Sequence, residues 1–147
     1  MNICADSGFL IALYDNADQH HAEASGHFTT LFQSTANRLL VPWPILYETV
    51  STRVARRRNA LALLERHWKR LLLRRQLELL SDLPFRDGIV EECFAELGRN
   101  RPRALSAADR VVRRMLSDKQ LRIDAFITFN VGDFADVCRK SGRVIYP

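Results

Sequence analysis

Four acidic side chains have the residue type and the spacing to build a metal site: Asp6, Glu48, Asp109 and Asp133. Asp6 and Asp133 follow apolar stretches, while Glu48 and Asp109 fall in the first turns of predicted helices. In an open parallel α/β sheet, ligands bind at the carboxyl ends of the strands, so all four acids can lie near one edge. The spacing therefore predicts one cluster of carboxylates at that edge.

A cluster of carboxylates needs a compensating cation. Two unit charges about 4 Å apart repel by about 4 kcal/mol at an effective dielectric constant of about 20. Converging carboxylates would raise one another's pKa values and weaken the fold unless a cation lies among them. An all-oxygen, carboxylate-rich site is typical of Mg²⁺ or Mn²⁺. Beside a basic surface, such an ion indicates phosphodiester chemistry.

Three of the four acids also have a local alternative. Asp6 could cap the helix that follows it, and Asp133 could cap a helix that begins near it. Asp109 could be the acidic half of an S-x-x-D capping box, with an ion pair to Arg113 four residues later. Glu48 differs from these, because no basic residue stands three or four positions after it. The residues alone leave both interpretations open.

Alternating strands and helices must position these acids. The apolar and β-branched stretches predict strands over 3–5, 38–43, 77–80, 125–129 and 143–146. Periodic stretches and caps predict helices over 7–17, 20–32, 44–57, 60–75, 87–98, 106–117 and 133–142. NVGD (130–133) is predicted to be a turn and RNRPRA (99–104) a basic loop. Strands that alternate with helices predict a parallel sheet covered on both faces.

Size and composition are those of one globular domain spanning 1–147. No apolar run is long enough to span a bilayer, and the first twenty residues lack the features of a signal peptide. Cys4, Cys93 and Cys138 are far apart and show no CxxC spacing, which is typical of reduced, buried thiols in a cytoplasmic protein.

The charge balance is basic, and the basic residues are concentrated in one stretch. Lys and Arg number 22 against 17 Asp and Glu, a formal charge of +5 that favours nucleic acid as a partner. The stretch 53–75 holds most of this excess, with Glu65 as its only acid. It is either a solvated helix face, a phosphate-contacting ridge or a docking surface for an acidic partner segment. The candidate RNA contacts are Arg53, Arg56, Arg57 and Arg113.

The ordered set of motifs resembles the PIN-domain ribonucleases, most of all the toxin subunits of VapBC-type toxin–antitoxin pairs. The matching stretches are Asp6-Ser7 after the first strand, Glu48 in PILYETVS, Asp109 in LSAADRVV, and ITFNVGDF near the end. DNADQHHAEA is also similar to the D-x-x-H-x-x-A stretch that follows the family's first helix. The resemblance runs nearly the whole length of the chain.

This resemblance implies a three-layer α/β/α domain around a mostly parallel sheet of about five strands. It implies cleavage of RNA that depends on Mg²⁺ or Mn²⁺. It also implies an antitoxin partner and a homodimer, for which ALALLERHW (60–68) or the first two helices could supply the surface. A catalytically inactive PIN-like module that binds RNA or a partner is the alternative.

The resemblance also implies roles for individual residues. Asp6 and Asp109 would hold the principal metal ion, and Glu48 would bind a second ion or orient the attacking water. Whether Asn130 or Asp133 completes the site is open. The family's acidic positions fall on Asp6, Glu48, Asp109 and Asp133, and its supporting polar positions on Ser7, Thr128 and Asn130.

One departure from the family pattern follows the third acid. Where the family usually continues with small or apolar residues, this chain has Arg113 and Arg114. Arg113 either neutralises Asp109 and weakens metal binding, or points outward toward substrate phosphate.

Overall fold

The computed structural model describes residues 1–96 and 105–147 of the chain. Its centre is a five-stranded sheet in which every strand pair is parallel, in the order β3-β2-β1-β4-β5. The strands are β1 (Asn2–Ala5), β2 (Arg38–Pro42), β3 (Leu77–Leu80), β4 (Ala125–Ile127) and β5 (Val144–Tyr146). The predicted parallel sheet of about five strands is therefore confirmed.

The connections between the strands are helical. The helices are α1 (Ser7–Tyr14), α2 (His21–Phe32), α3 (Trp43–Ser51), α4 (Arg53–Arg56), α5 (Arg58–Leu73), α6 (Ile89–Glu96), α7 (Ala107–Ser117) and α8 (Val131–Ser141). A short 3₁₀ turn, Leu83–Phe85, precedes α6. Among the described residues no helix has the length and apolarity needed to cross a membrane.

The direction of the connections places helices on both faces of the sheet. The chain moves from β1 through β2 to β3 on one side, then crosses back to β4 and β5 on the other. Because parallel crossovers are right-handed, this reversal sends α1–α5 to one face and α6–α8 to the opposite face. The result is the predicted three-layer arrangement, with its topological switch point between β1 and β4.

Burial on both faces explains the composition of the strands. Residues such as Ile3, Leu39, Val41 and Phe126 are fully or almost fully buried, as expected for strands covered by helices on each side. Cys4 and Cys138 are free and buried, as predicted, while Cys93 is free and half-buried.

The helix predicted over 44–57 is interrupted. Trp43–Ser51 and Arg53–Arg56 form separate helices because the backbone of Thr52 leaves the helical region (φ −105°, ψ −146°). The break turns Arg53 toward Asp15, a fully buried carboxylate that requires a cationic partner. A tertiary ion pair therefore overrides the local helical pattern.

Several other predicted boundaries also differ from the structure. The NVGD segment is not a turn: α8 already begins at Val131, because the Asn130 carbonyl accepts the Asp133 N–H and an acidic side chain stabilises this first turn. The helix predicted from Asp87 starts at Ile89, because Gly88 adopts a left-handed conformation (φ 73°). The predicted basic loop 99–104 and the predicted stop at Gly98 lie outside the described residues.

Candidate active site

Asp6 lies directly after β1 at the switch point of the sheet. Its backbone N–H donates to the Ile127 carbonyl of the neighbouring strand at 3.0 Å, and its side chain is the N-cap of α1. One carboxylate oxygen accepts the Ser7 N–H at 2.7 Å, and the residue is only 7% exposed. The predicted local capping role is therefore confirmed, but the cap uses only one of the two carboxylate oxygens as a hydrogen-bond acceptor.

Thr128 orients the other oxygen of Asp6. Its hydroxyl is buried and donates to Oδ2 of Asp6 at 2.7 Å, while accepting the Asn130 N–H at 2.9 Å. Because the hydroxyl has only one proton, the bond from Asn130 fixes the direction in which Thr128 donates. Two adjacent strand ends, β1 and β4, thus build one rigid carboxylate position.

Glu48 reaches this edge from α3. The helix begins right after β2 with Pro44 in its first turn, as predicted, and is anchored by buried Ile45 and Thr49. Glu48 itself is half-buried. Within residues 1–96 and 105–147 it has no ion-pair partner, as expected from the absence of a local cation.

Asp109 lies in the first turn of α7, and the predicted capping box is confirmed. Its Oδ2 accepts the backbone N–H of Ser106 at 3.0 Å and the Ser106 hydroxyl at 2.8 Å, while the Asp109 N–H donates back to Ser106. Both bonds from Ser106 end on the same oxygen. Oδ1 accepts no hydrogen bond from the part of the chain that the structure describes, so it is available to another ligand.

The charges of two other acids act on Asp6. The pKa of Asp6 is raised to about 6, chiefly by burial, while hydrogen bonds from Thr128 and Ser7 oppose the shift and the charges of Asp109 and Glu48 add to it. Helix α3, which carries Glu48, packs against both α1 and α7. Glu48 and Asp109 therefore lie close enough to Asp6 for their charges to act on it.

Asn130 and Asp133 form a pair beside this site. The Asn130 side-chain amide donates to the Asp133 carboxylate. The Asn130 backbone N–H donates to the Thr128 hydroxyl, which in turn donates to Asp6. Asn130 is thus linked to Asp6 by a single intervening side chain. Asp133 contacts Asn130 at the start of α8.

Arg113 is held away from Asp109. Its guanidinium forms two hydrogen bonds to Asp136 on α8, at 2.7 and 2.6 Å, and a third to the Asp133 carbonyl. This pairing lowers the pKa of Asp136 to about 2, mainly through the hydrogen bonds from Arg113. Of the two outcomes left open for Arg113, neutralisation of Asp109 is not what the geometry shows.

Two of the candidate RNA-contacting arginines have an acidic partner at the other end of α1. Arg57 donates to Asp15 at 2.5 Å, and Arg53 lies 3.4 Å from Asp15 and 2.6 Å from Asp18. Both side chains are still about half exposed, at 45% and 54%. Arg56 is exposed and forms no ion pair within the described ranges.

The D-x-x-H-x-x-A stretch has a structural role. Asp18 accepts the His20 N–H and pairs with Arg53, the ring nitrogen of His21 lies 2.8 Å from the Ala12 carbonyl, and Ala24 is fully buried. Together these contacts fix the connection between α1 and α2.

The sequence did not indicate the roles of Asp15 and Asp136, the two acids that form ion pairs with arginines near the candidate site. Neither has its partner within four residues, since Asp15 pairs with Arg53 and Arg57 and Asp136 with Arg113. A local pattern could not reveal contacts of this kind.

The residue set suits a hard divalent cation that keeps much of its water. All its donors are oxygen atoms, the ligands that Mg²⁺ and Mn²⁺ prefer. Across the described 1–96 and 105–147, no three His, Cys, Asp or Glu side chains stand close enough to hold an ion by themselves. Mg²⁺ is commonly bound by only one or two carboxylates plus waters, so the set fits it.

Comparison with known proteins gives matches among solved structures. No protein-family model and no curated protein matches the chain. The crystal structure of VapC20 from Mycobacterium tuberculosis, a Sarcin-Ricin loop cleaving toxin, superposes with a TM-score of 0.61 at 18% identity, covering 91% of this chain and 94% of that one. The crystal structure of VapBC2 from Rickettsia felis, bound to a DNA fragment from the promoter, contains a chain that superposes with a TM-score of 0.57 at 12% identity. The match covers 99% of this chain and 98% of that one.

These likenesses are at low identity, so they concern the fold. Nearly the whole of each chain takes part in the superpositions. The chain therefore has the α/β/α fold of the VapC toxins, the PIN-like fold that its sequence predicts.

Proposed function

We propose that this protein is a divalent-metal-dependent endoribonuclease, the toxin subunit of a type II toxin–antitoxin pair, acting as a single domain in the cytoplasm. The observation that carries the proposal concerns Asp6, whose pKa is raised chiefly by burial and further by the charges of Asp109 and Glu48, and which pairs with no lysine or arginine among the described residues. A surface that only bound a polyanion would gain nothing from such carboxylates. The fold of an RNA-cleaving toxin supports the same function.

Asp6 and Asp109 are proposed to hold the principal Mg²⁺ or Mn²⁺, with Asn130 or Asp133 completing its surroundings. Such an ion supplies a bound water of lowered pKa and stabilises charge on the phosphate oxygens. Thr128 and Ser7 keep the Asp6 carboxylate in one orientation through their hydrogen bonds. Neither side chain is proposed as a nucleophile.

Glu48 is proposed to orient the attacking water or to bind a second ion. It is half-buried and has no cation beside it within the described residues, so its carboxylate is available for either role. A carboxylate within hydrogen-bonding distance of a water can also accept its proton.

The basic side chains near the site are proposed to contact RNA phosphates. Arg56 has its full charge available, whereas Arg53 and Arg57 share theirs with Asp15 and still expose about half of each side chain. Arg113, which is paired with Asp136, is the weakest of these candidates. Phosphate contacts of this kind make RNA binding salt-dependent.

An antitoxin and a second copy of the chain are the proposed protein partners. The fold match to a VapBC2 chain supports the antitoxin. Of the surfaces expected for a homodimer, ALALLERHW keeps Ala60 and Leu64 within the protein's own core, so most of that face is unavailable. Val90 and Phe94 on α6 are more exposed, and analytical ultracentrifugation of a Phe94→Glu variant against the wild type tests them.

The test of the enzyme is cleavage of a panel of single-stranded and stem–loop RNAs with Mn²⁺ or Mg²⁺ and then with chelator. Cleavage should require the metal and should be lost in Asp6→Asn and Asp109→Asn. Asp87→Asn is the matched control, because Asp87 is exposed and its side chain has no partner among the described residues. Metal-independent cleavage, or full activity of either site variant, would refute the proposal.

The same experiment separates the alternative of an inactive RNA-binding module. That alternative predicts RNA binding that is unchanged by chelator, with no cleavage under any metal condition.

A further inference from the structure

His20 stacks on Phe129 beside the acidic site. The ring centroids are 4.3 Å apart and the planes are inclined by 14°, so the two rings are nearly parallel. Phe9, which is fully buried, supports Phe129 from the interior, with its ring centroid at 6.2 Å. The three rings form a short column that runs from the core to the surface.

The position of His20 is fixed by its neighbours. Asp18 accepts the His20 backbone N–H at 3.0 Å and is itself held by Arg53 at 2.6 Å. At the edge of the ring, Nδ1 lies 3.5 Å from the Glu23 carboxylate and Nε2 lies 3.1 Å from the Gln19 amide. One face of the His20 ring lies on Phe129, and 39% of the side chain is exposed.

This stacked pair adjoins the proposed catalytic residues. Phe129 stands between Thr128, which donates to Asp6, and Asn130, which donates to Thr128. Because consecutive Cα atoms are about 3.8 Å apart, the backbone of Phe129 is directly adjacent to that of Thr128. On the other side, Asp18 joins His20 to the basic helix α4 through Arg53. The pair therefore lies between the acids and the arginines.

We propose that His20 and Phe129 form a stacking platform for one unpaired base of the RNA substrate, next to the phosphate that is cut. The inference rests on the proposed ribonuclease function and adds a base-binding position to it. Single-stranded RNA is recognised by stacking its bases on aromatic side chains, histidine included. The His20 ring is supported by Phe129, is exposed over 39% of its side chain, and is linked to Asp6 on one side and to Arg53 on the other, so it has the chemistry and the location for this.

The experiment measures RNA binding without cleavage. Short single-stranded RNAs carrying one 2-aminopurine are titrated, in chelator, into wild-type protein and into His20→Ala, His20→Phe and His27→Ala. His27 is the matched control, since it lies on α2 and also approaches Glu23 at 3.9 Å. Stacking quenches 2-aminopurine fluorescence, so the readout reports base contact, which a merely structural role for His20 would not change.

The expected result is a loss specific to the missing ring. His20→Ala should bind about 5- to 150-fold more weakly, the range measured when one stacking side chain is truncated, and should lose the quenching. His20→Phe should restore both, because it keeps the ring, and His27→Ala should match the wild type. Equal binding and quenching by His20→Ala and the wild type would overturn the platform, as would a loss in His20→Phe as large as in His20→Ala.

A second measurement covers the case in which a His20 variant does not fold. Wild-type protein is titrated with RNAs in which each base in turn is removed to leave an abasic site. The platform predicts that one position beside the cut loses affinity, and uniform affinity across all positions contradicts it. If the wild-type protein cleaves RNA while the platform tests fail, only this inference falls; if it neither binds nor cleaves RNA, the proposed function itself fails.

Discussion

Asp6 and Asp15 stand at opposite ends of helix α1, and their surroundings are opposite in charge. Asp15 is completely buried and meets Arg57 at 2.5 Å and Arg53 at 3.4 Å. Asp6 is almost as buried, but the charges that raise its pKa are those of Asp109 and Glu48. No lysine or arginine pairs with Asp6 in the part of the chain described.

The difference separates a carboxylate that is paired inside the protein from one that we propose binds a metal ion. A buried charge is tolerated when it is paired and hydrogen-bonded: Asp15 is paired with two arginines, and its Oδ1 accepts hydrogen bonds from Ala17 and Arg57. Asp6 has hydrogen bonds but no cationic partner within 1–96 and 105–147, so burial makes its ionised form unfavourable there. A site that keeps such a group near two further acids is suited to a cation that comes from solution.

The largest expected effect comes from making Asp15 resemble Asp6. The double variant Arg53→Ala/Arg57→Ala leaves the Asp15 charge buried and unpaired, which should lower the free energy of unfolding by about 3–5 kcal/mol. Urea denaturation at neutral pH measures it. Arg56→Ala/Arg58→Ala removes two exposed arginines from the same region and should change stability little; an equal loss in both double variants would contradict the comparison.

The next effect concerns the stability of the metal-free protein as pH changes. Raising the pKa of Asp6 from its ordinary 3.8 to about 6 favours the protonated form in the fold. The stability from this group is therefore complete below about pH 3.8 and is lost as pH rises through about 6, a change of about 3 kcal/mol. Burial is the main cause, with Asp109 and Glu48 adding to it.

The variant Asp6→Asn isolates this pH dependence. Asn can still accept the Ser7 N–H and can donate to the Thr128 hydroxyl, so its fold is retained. We expect the stability of this variant relative to wild type, measured by urea denaturation in chelator, to increase by about 2 kcal/mol between pH 4 and pH 7. A stability difference that does not change with pH would show that Asp6 is not destabilised by its surroundings.

Much of the fold could be predicted from the sequence, for reasons visible in particular residues. Ala125–Ile127 is entirely apolar and fully buried, and Ser106 with Asp109 forms a local capping box, so short-range patterns sufficed there. The interruption at Thr52 could not be predicted, because it depends on Asp15, far away in the chain. The stacked pair of His20 and Phe129 was missed for the same reason.

The acids of the site could be predicted for a different reason. Asp6 lies where a parallel strand ends, and Glu48 and Asp109 lie near the starts of the helices α3 and α7. The sheet brings such positions to one edge whatever the details of packing. What the sequence could not supply is the direction of each side chain, which for Asp6 is set by the Thr128 hydroxyl and for Arg113 by Asp136.

A smaller effect should follow from removing the hydroxyl that orients Asp6. Thr128→Val keeps the shape but loses the donor to Asp6, which should weaken metal binding by about 10- to 100-fold. The measurement is the Mn²⁺ concentration that gives half-maximal RNA cleavage. Thr49→Val is the matched control, since Thr49 is equally buried but donates only to the Ile45 carbonyl of its own helix. If the two variants need the same Mn²⁺ concentration, Thr128 does not orient the site.

The smallest expected effect concerns Arg56, the arginine near Asp15 that has no acidic partner among the described residues. Arg56→Ala should leave stability unchanged and reduce the slope of log affinity against log salt for single-stranded RNA by about 0.7, the value for one phosphate contact. Fluorescence anisotropy in chelator measures the slope. Arg139→Ala removes the same charge from the C-terminal end of α8 and should leave the slope unchanged. If Arg56→Ala also leaves the slope unchanged, Arg56 does not contact the RNA.

The most direct test of the account is calorimetric titration of Mn²⁺ into the protein at neutral pH. We expect the wild type and Asp87→Asn to bind Mn²⁺ with equal affinity. Asp6→Asn and Asp109→Asn should each lower the affinity for Mn²⁺ by about 100-fold or more, which exceeds the loss caused by changing a residue that only supports a ligand. Binding to the wild type that is absent, or that survives unchanged in both site variants, would contradict the claim that these carboxylates converge to hold a cation.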